Sequence, residues 1–453
     1  MEKESTSNPN SNLACHPEPV EGQTYDPVKM KERLGVSSET SAKEGYKQTK
    51  LGWIPEEWEI YKFKEILKST RLGGNYNNSS SAIGLPLIKM GNIGRGIINI
   101  ENKYFIEDSE NLSEDHLLKN GDILFNTRNT LDLVGKVAIW KDEYKTAYYN
   151  SNLLRLVFKD RYVSSNEFIN YCLNSYNSIK QLRGFATGTT SVAAIYDRDV
   201  KILKVALPSL PEQQKIATIL STWDAAIAKQ QKLIAAKQQY KKGLMQLLLT
   251  GEKRFDGFGG EWEEIKLGKY GTMYSGGTPS RAVKEFYGGN IPWIKSGELN
   301  QGLVVTVEES ITDLALKNSS AKIVQNGTLL LALYGATAGV VAITDIRGAI
   351  NQAILAIETN EQLNKLFLYY LLKFKMPRYL ENLVQGGQPN LNGGMIKKIK
   401  IKRPSVKEQE KVASVLSTAD KEIGLLQKEL EQLQGQKRGL MQQLLTGAVR
   451  VKI

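Results

Sequence analysis

The side chains in this chain that could do chemistry are neutral polar and basic groups carried on glycine-rich loops. In the N-terminal half they fall in four sets: Arg71, Asn75, Tyr76 and Asn77; Lys89, Asn92 and Arg95; Asn126, Thr127, Arg128 and Asn129; and Thr187, Thr189, Thr190 and Ser191. Asn and Arg can make paired hydrogen bonds to a base edge, while Lys, Ser, Thr and backbone N–H groups hold phosphate oxygens. A single Asn/Gly cluster also serves simply as a turn. Four such sets in one stretch point to contact with DNA.

Bond-making chemistry finds no comparable support. Gly-Lys occurs at Gly135 and Gly268 with neither Ser nor Thr after it, so there is no phosphate-cradling P-loop. Pro-Pro never occurs, which removes the Asn/Asp-Pro-Pro-aromatic tetrapeptide of amino-methyltransferases, and Pro-Asp, part of a common nuclease motif, is also missing. His16 and His116 are the only histidines, and His116 lies among surface-type residues with no companion for a triad. Asp122 and Asp132 could pair, but acids beside strand turns usually build the turn. Cys15 and Cys172 are too far apart in sequence to suggest a disulfide framework or a zinc site. The expectation is therefore no catalytic, cofactor or metal site in this chain.

The element that must position the loops is a long repeat. Glu212 to Gly251 returns as Glu408 to Gly447, an offset of 196 residues at both ends, with 21 identities in 40 positions. In the second copy Val412, Leu416, Ala419, Ile423, Leu426, Leu430, Leu433, Leu440 and Leu444 follow a 4-3 alternation, broken by Lys437. The first copy places Ile216, Leu220, Trp223, Ile227, Ile234, Leu244 and Leu248 on the same line, with Gln230, Lys237 and Lys241 among them. That spacing predicts two helices, each of roughly 60 Å, carrying a heptad seam. Prolines near the starts, Pro211 and Pro404, and Thr-Gly at the ends supply boundaries. Polar seam residues favour one register and one partner, and the duplicate is the candidate partner. Lys237 and Lys241 have a second reading, as side chains reaching out to another subunit.

Between the rods lie short apolar runs with Gly and Asn turns, in the same order twice. LPLIKMGNI at Leu85 is answered by IPWIKSGEL at Ile291, and NGDILFN at Asn120 by NGTLLLA at Asn326; helices are expected at Ser165 to Arg183 and Glu361 to Leu383. The fold expected is α/β (α+β), two globular heads alternating with two long helices in a pseudo-twofold repeat. The division is 1–45 a disordered leader, 46–208 the first head, 209–252 the central helix, 253–403 the second head and 404–453 the C-terminal helix. Preserved rods with diverged heads suggest a ruler that holds two readers.

With 453 residues the chain is long enough for several domains, and its net charge of +12 with pI near 9.2 suits a polyanionic partner. The apolar run Leu329 to Ile343 is shorter than the roughly twenty residues of a membrane span and carries Gly335 and Gly339, so two buried strands are expected there. No membrane partner and a cytoplasmic location follow as expectations.

The chain resembles the specificity (S) subunits of type I restriction-modification systems. The residues that carry the likeness are LGWIPEEWE at Leu51 to Glu59, GGTPSRAVKEFYGGNIPWIKSGEL at Gly276 to Leu299, GATAG followed by NQAI at Asn351 to Ile354, and PxxxEQ followed by a long helix ending in LMQxLLTG, twice. The resemblance implies two target recognition domains, each reading half of a split, asymmetric duplex sequence, with the rods packed antiparallel as a coiled-coil spacer. It implies a non-catalytic chain that recruits methyltransferase (M) subunits, two of them, and restriction (R) subunits, with S-adenosylmethionine, ATP and Mg2+ held by those partners. In the second head it points to Thr278, Ser280, Arg281 and Lys284, then Lys295 and Ser296, then Tyr334 and Thr337, and finally Gln388 and Asn390. The rival reading is a coiled-coil assembly scaffold without sequence-specific DNA binding.

Overall fold

The computed structural model describes residues 44–80, 83–107, 112–131, 133–189, 192–383 and 390–453. The expected leader, apart from its last two residues, lies outside them, as do Asp132, Thr190, Ser191 and Gln388.

Both copies of the repeat are helices, Leu210–Thr250 and Val406–Leu445. Pro211 sits in the first turn of one, where its missing N–H would have had no helical partner anyway. Each helix is followed by a glycine in the left-handed region, Gly251 at φ +77° and Gly447 at φ +69°, the conformation that closes a helix with least strain when there is no Cβ. The apolar seam is buried at Leu220, Ile234 and Leu248 in one helix and at Val412, Leu416 and Ile423 in the other.

The polar residues on that seam find partners across it. Gln230 donates to the Leu426 carbonyl at 3.1 Å and to Glu429 at 3.0 Å. Lys237 pairs with Glu422, Lys241 with Asp420, and Lys437 with Asp224. As the number rises along one helix its partner's number falls, so the two helices run in opposite directions. The reading of Lys237 and Lys241 as arms toward another subunit is thereby corrected: their ammonium groups are held within the chain.

Contacts divide the chain into two units, Met1–Ile216 with Gln443–Ile453, and Ala217–Gln442. In the first, an antiparallel sheet runs in the order Val137–Ile139, Ile123–Asn126, Leu153–Phe158, Leu67–Leu72. Four strands of the second unit, Val341–Thr344, Leu329–Ala332, Ile354–Thr359 and Gly271–Ser275, are ordered the same way. A second sheet in each unit contains one parallel pair, Tyr148–Tyr149 beside Leu85–Ile88 and Gly348–Ile350 beside Tyr287–Ile294. The apolar faces form the cores, around Trp140, Tyr149 and Leu124 in one unit and Leu331, Ile357 and Phe367 in the other. The run at Leu329 to Ile343 makes two strands, and among the described residues no helix is long and apolar enough to cross a membrane.

The helix expected at Ser165 to Arg183 is two helices, Asn166–Leu173 and Tyr176–Phe185. Asn174 ends the first, and the Ser175 hydroxyl accepts from the Ser178 N–H to start the second, since Asn and Ser compete for backbone groups and favour caps. The second unit's counterpart, Lys365–Glu381, is continuous.

Each rod is fastened at its first turn by a buried acid. Glu212, 2% exposed, accepts from Arg450 Nε at 2.8 Å and Trp58 Nε1 at 3.2 Å in the first unit. Glu408, 1% exposed, takes Arg254 through Nε at 2.8 Å and Nη2 at 2.6 Å in the second. The neighbouring glutamines act alike: Gln213 donates to the carbonyls of Pro208 and Tyr162, Gln409 to those of Pro404 and Gln362.

Candidate nucleic-acid interface

In the first unit three of the four loop sets meet at one turn, Asn150–Ser151–Asn152. The Asn150 N–H donates to the Ile88 carbonyl at 3.0 Å, just before Lys89, and Ser151 N–H donates to Gly74 at 2.9 Å. Thr127 gives both its N–H, at 3.1 Å, and its hydroxyl, at 2.8 Å, to the Asn152 carbonyl. The turn is locked by the Asn152 N–H on Asn150 Oδ1 at 3.3 Å. The fourth set joins through a small sheet: Arg128–Asn129 pairs with Ala193–Ala194, which pairs with Thr187–Gly188.

The second unit repeats this frame with other side chains. Asn351 N–H donates to Ile294, just before Lys295, at 3.1 Å; Gly277 N–H donates to Ile350 at 3.1 Å; and Leu333 N–H donates to Ala353 at 2.8 Å. Asn351 Oδ1 accepts from Ala353 N–H at 3.1 Å, the same turn. Tyr334 is bridged to Asn390. The glycine pairs are required by the approach of chain to chain: a Cβ on Gly73 would lie 2.1 Å from the Tyr149 carbonyl oxygen, and one on Gly276 would lie 1.8 Å from that of Ile350.

Comparison with known proteins places this double frame. The domain described as type I restriction modification DNA specificity domain matches residues 55–238 and 259–435. The chain belongs to the type I restriction-modification specificity family. A putative type I restriction enzyme MjaX specificity subunit of Methanocaldococcus jannaschii is 28% identical, over 90% of this chain and 97% of its own. The EcoR124I/EcoR124II specificity subunit of Escherichia coli is 26% identical, over 58% of this chain and 68% of its own. Among solved structures, one describing complex assembly and conformational transition of the type I R-M system superposes with TM-score 0.57 at 17% identity, covering 87% of this chain and 99% of that one. The S subunit from M. genitalium superposes with TM-score 0.53 at 16% identity, covering 87% of this chain and 96% of that one. Those two likenesses concern the fold. As a specificity subunit the chain is a DNA target-recognition component and not the catalytic one.

Within this specificity subunit the proposed contact residues divide by exposure. Asn75, Asn77, Arg128, Thr187, Thr189, Thr278, Ser280, Arg281, Lys284 and Asn390 are exposed. Asn92 and Asn126 are not: they are 2% and 0% exposed. Asn92 accepts from the Lys89 N–H and donates to the carbonyls of Asn99 and Asn102, and Asn126 accepts from the Arg128 N–H. For these two the expectation of direct contact is corrected: an amide that folds a loop from inside is not available at its surface.

Other polar groups are half committed. Tyr76 bonds His116 Nδ1 at 2.7 Å, and burial pushes the His116 pKa below the usual imidazole value. Arg71 pairs with Asp115, Asp122 with Arg155 at 3.0 Å, and Thr278 with Gln352. Lys89 reaches Asn78 at 3.0 Å and lies over the Tyr104 ring. Lys295 bonds Glu309 at 3.0 Å and Glu308 at 3.3 Å, which raises its pKa. Ser296, Tyr334 and Thr337 are half-buried. Arg95 stands apart, next to Gly96 on the face that receives Asn170; burial and then the like charge of Arg183 lower its pKa.

Asn150, Asn351 and the two glycine pairs, none of them among the expected contact residues, hold the loops together. The signal was there as Asn-x-x-apolar at Asn150–Leu153 and Asn351–Ile354, each following a strand.

Proposed function

We propose that this specificity subunit reads a bipartite, asymmetric duplex target, one half with each head. The observation that carries the reading is the pair of matching frames around Asn150 and Asn351, which present different exposed side chains after corresponding glycine pairs: Asn75 and Asn77 in one, Thr278 and Ser280 in the other. Two different readers call for two different half-sites. Head boundaries at 46–208 and 253–403 fit this division of labour.

The contacting groups are drawn from the exposed loop residues, with Asn75, Asn77, Arg128, Thr187 and Thr189 serving the first head, and Ser280, Arg281, Lys284 and Asn390 the second. Thr190 and Gln388 belong to the same sets by sequence. Bases are read by the planar donors and acceptors, and phosphates by Lys, Thr and backbone N–H groups.

The long helices act as an antiparallel coiled-coil spacer and as the seat for two methyltransferase subunits. Rods of roughly 60 Å suit half-sites about one helical turn, roughly 34–36 Å, apart. Restriction subunits complete the complex, S-adenosylmethionine, ATP and Mg2+ are bound by those partners, and the complex works in the cytoplasm, where the DNA is.

The test is to express the chain with its methyltransferase partner and map N6-methyladenine by single-molecule sequencing of the host genome. One split motif with methylated adenines on both strands is the expected result. A stable complex that binds every duplex alike would leave a scaffold without sequence reading.

A further inference from the structure

Arg281 is an exposed arginine held by two aromatic rings and an ion pair. Its side chain is 58% exposed. The guanidinium carbon lies 4.3 Å from the Tyr287 ring centre and 5.3 Å from that of Trp293. Nη2 is ion-paired with Glu309 Oε2 at 2.8 Å. The loop below is held as firmly: Tyr287 donates its hydroxyl proton to the Pro279 carbonyl at 2.6 Å, Val283 N–H donates to Ser280, and Thr278 bonds Gln352. Glu309 is itself anchored by Lys295 at 3.0 Å. That bond is the main reason its pKa lies below the ordinary carboxylate value, so the anchor stays charged at neutral pH.

Two other stacked arginines, Arg155 and Arg403, differ. Arg155, over Tyr149, is 14% exposed and spends its donors on Asp122 and on the carbonyls of Leu117 and Asp115. Arg403, over Tyr270, is 17% exposed and bonds Glu263 and the Gln362 carbonyl. Those two hold the fold together; Arg281 presents its face to solvent.

We propose that Arg281 reads a guanine in the half-site of the second head, through two parallel hydrogen bonds to O6 and N7 in the major groove. The inference rests on the DNA-reading function proposed above. A guanidinium carries five N–H donors in a planar fork, and the pair with Glu309 leaves a complete two-donor edge. Guanine offers two adjacent acceptors there, whereas adenine offers one acceptor beside a donor, which would oppose an N–H. Stacking on Tyr287 and Trp293 fixes the plane of the fork, and the rotamer entropy is lost before binding, not during it. A phosphate can be held by a point charge such as an ammonium as well as by a fork, whereas the paired guanine contact requires the planar fork.

The experiment compares wild type and Arg281→Ala, each as the full chain with its methyltransferase partner, on duplexes that vary every base pair of the wild-type methylation motif. Expected is a loss of discrimination of about 5- to 150-fold at one G·C pair of one half-site, with the other half-site unchanged. Uniform weakening across sequences, with a salt slope smaller by about one, would make Arg281 a phosphate contact and overturn the proposal. Unchanged discrimination would overturn it too. Failure of the underlying reading is separate, since the wild-type complex would then show no sequence preference. Should the alanine variant not fold, Glu309→Gln carries the same prediction: a smaller loss at the same base pair supports the proposal, and none there overturns it.

Discussion

Lys437 of the C-terminal helix is ion-paired with Asp224 of the central one, and Lys241 with Asp420, the same pair moved by the repeat offset. The lysine side chains are only 19% and 11% exposed. The second pair is further tied by Tyr370, whose hydroxyl donates to Asp420 Oδ2 at 2.8 Å. Polar pairs within an apolar seam select a register, because any slip leaves charges without partners in a poorly solvated place.

Lys437→Ala should therefore cost about 1–2 kcal/mol, between the values for exposed and buried pairs. Urea unfolding measures it. The exchange Asp224→Lys with Lys437→Asp should recover most of the loss, and a double-mutant cycle without coupling would argue against a register role.

Arg254→Ala removes both hydrogen bonds from buried Glu408 and should lower the urea midpoint of the second unit's transition. Arg254→Lys should recover only part of it, because a lysine cannot present a fork to both carboxylate oxygens. Arg450→Ala should act likewise on Glu212 in the first unit, where Trp58 still donates. Fluorescence of Trp58 and Trp262 in single-tryptophan variants would assign each transition.

Gly276→Ala places a methyl group on the Ile350 carbonyl and should cost about 1–3 kcal/mol of overpacking. The expected phenotype is loss of one half of the recognised motif. Gly73→Ala should affect the other half, read out by methylation mapping. Loss of the same half in both variants would contradict independent readers.

His116 should titrate below the ordinary imidazole value of 6.5. Its folded pKa is depressed, so its contribution to stability is complete above pH 6.5 and is lost as pH falls from there through the folded pKa. With only His16 and His116 in the chain, His16→Gln leaves a single imidazole signal for an NMR titration. Tyr76→Phe removes the hydroxyl from Nδ1, and a shift in that titration would show the contact persists in solution.

Much of this was legible in residue order. An apolar period that survives an offset of 196 residues can only be a repeated helix, and both helices end at the glycines that terminate the motif. The recurrence of strands along the two heads was likewise implied by paired phrases such as LPLIKMGNI and IPWIKSGEL, because alternation of apolar residues is a local property of the chain. Family membership rests on the match over 55–238 and 259–435, which contains both phrases.

What the sequence could not say was where each polar group points. Asn92 and Asn126 have the composition of surface loop residues, yet they are buried: Asn92 is stable inside because the fold brings the Lys89 N–H and the carbonyls of Asn99 and Asn102 to its amide, and Asn126 takes the Arg128 N–H on its oxygen. Lys237 and Lys241 read equally well as arms or as seam residues until Glu422 and Asp420 stood opposite them. Arg281 is one basic residue among several in the sequence; its stack on Tyr287 and Trp293 and its pairing with Glu309, 28 positions on, exist only in three dimensions. Periodicity is written between near neighbours, whereas hydrogen-bond satisfaction depends on residues far apart in the chain, and only tertiary structure brings those together.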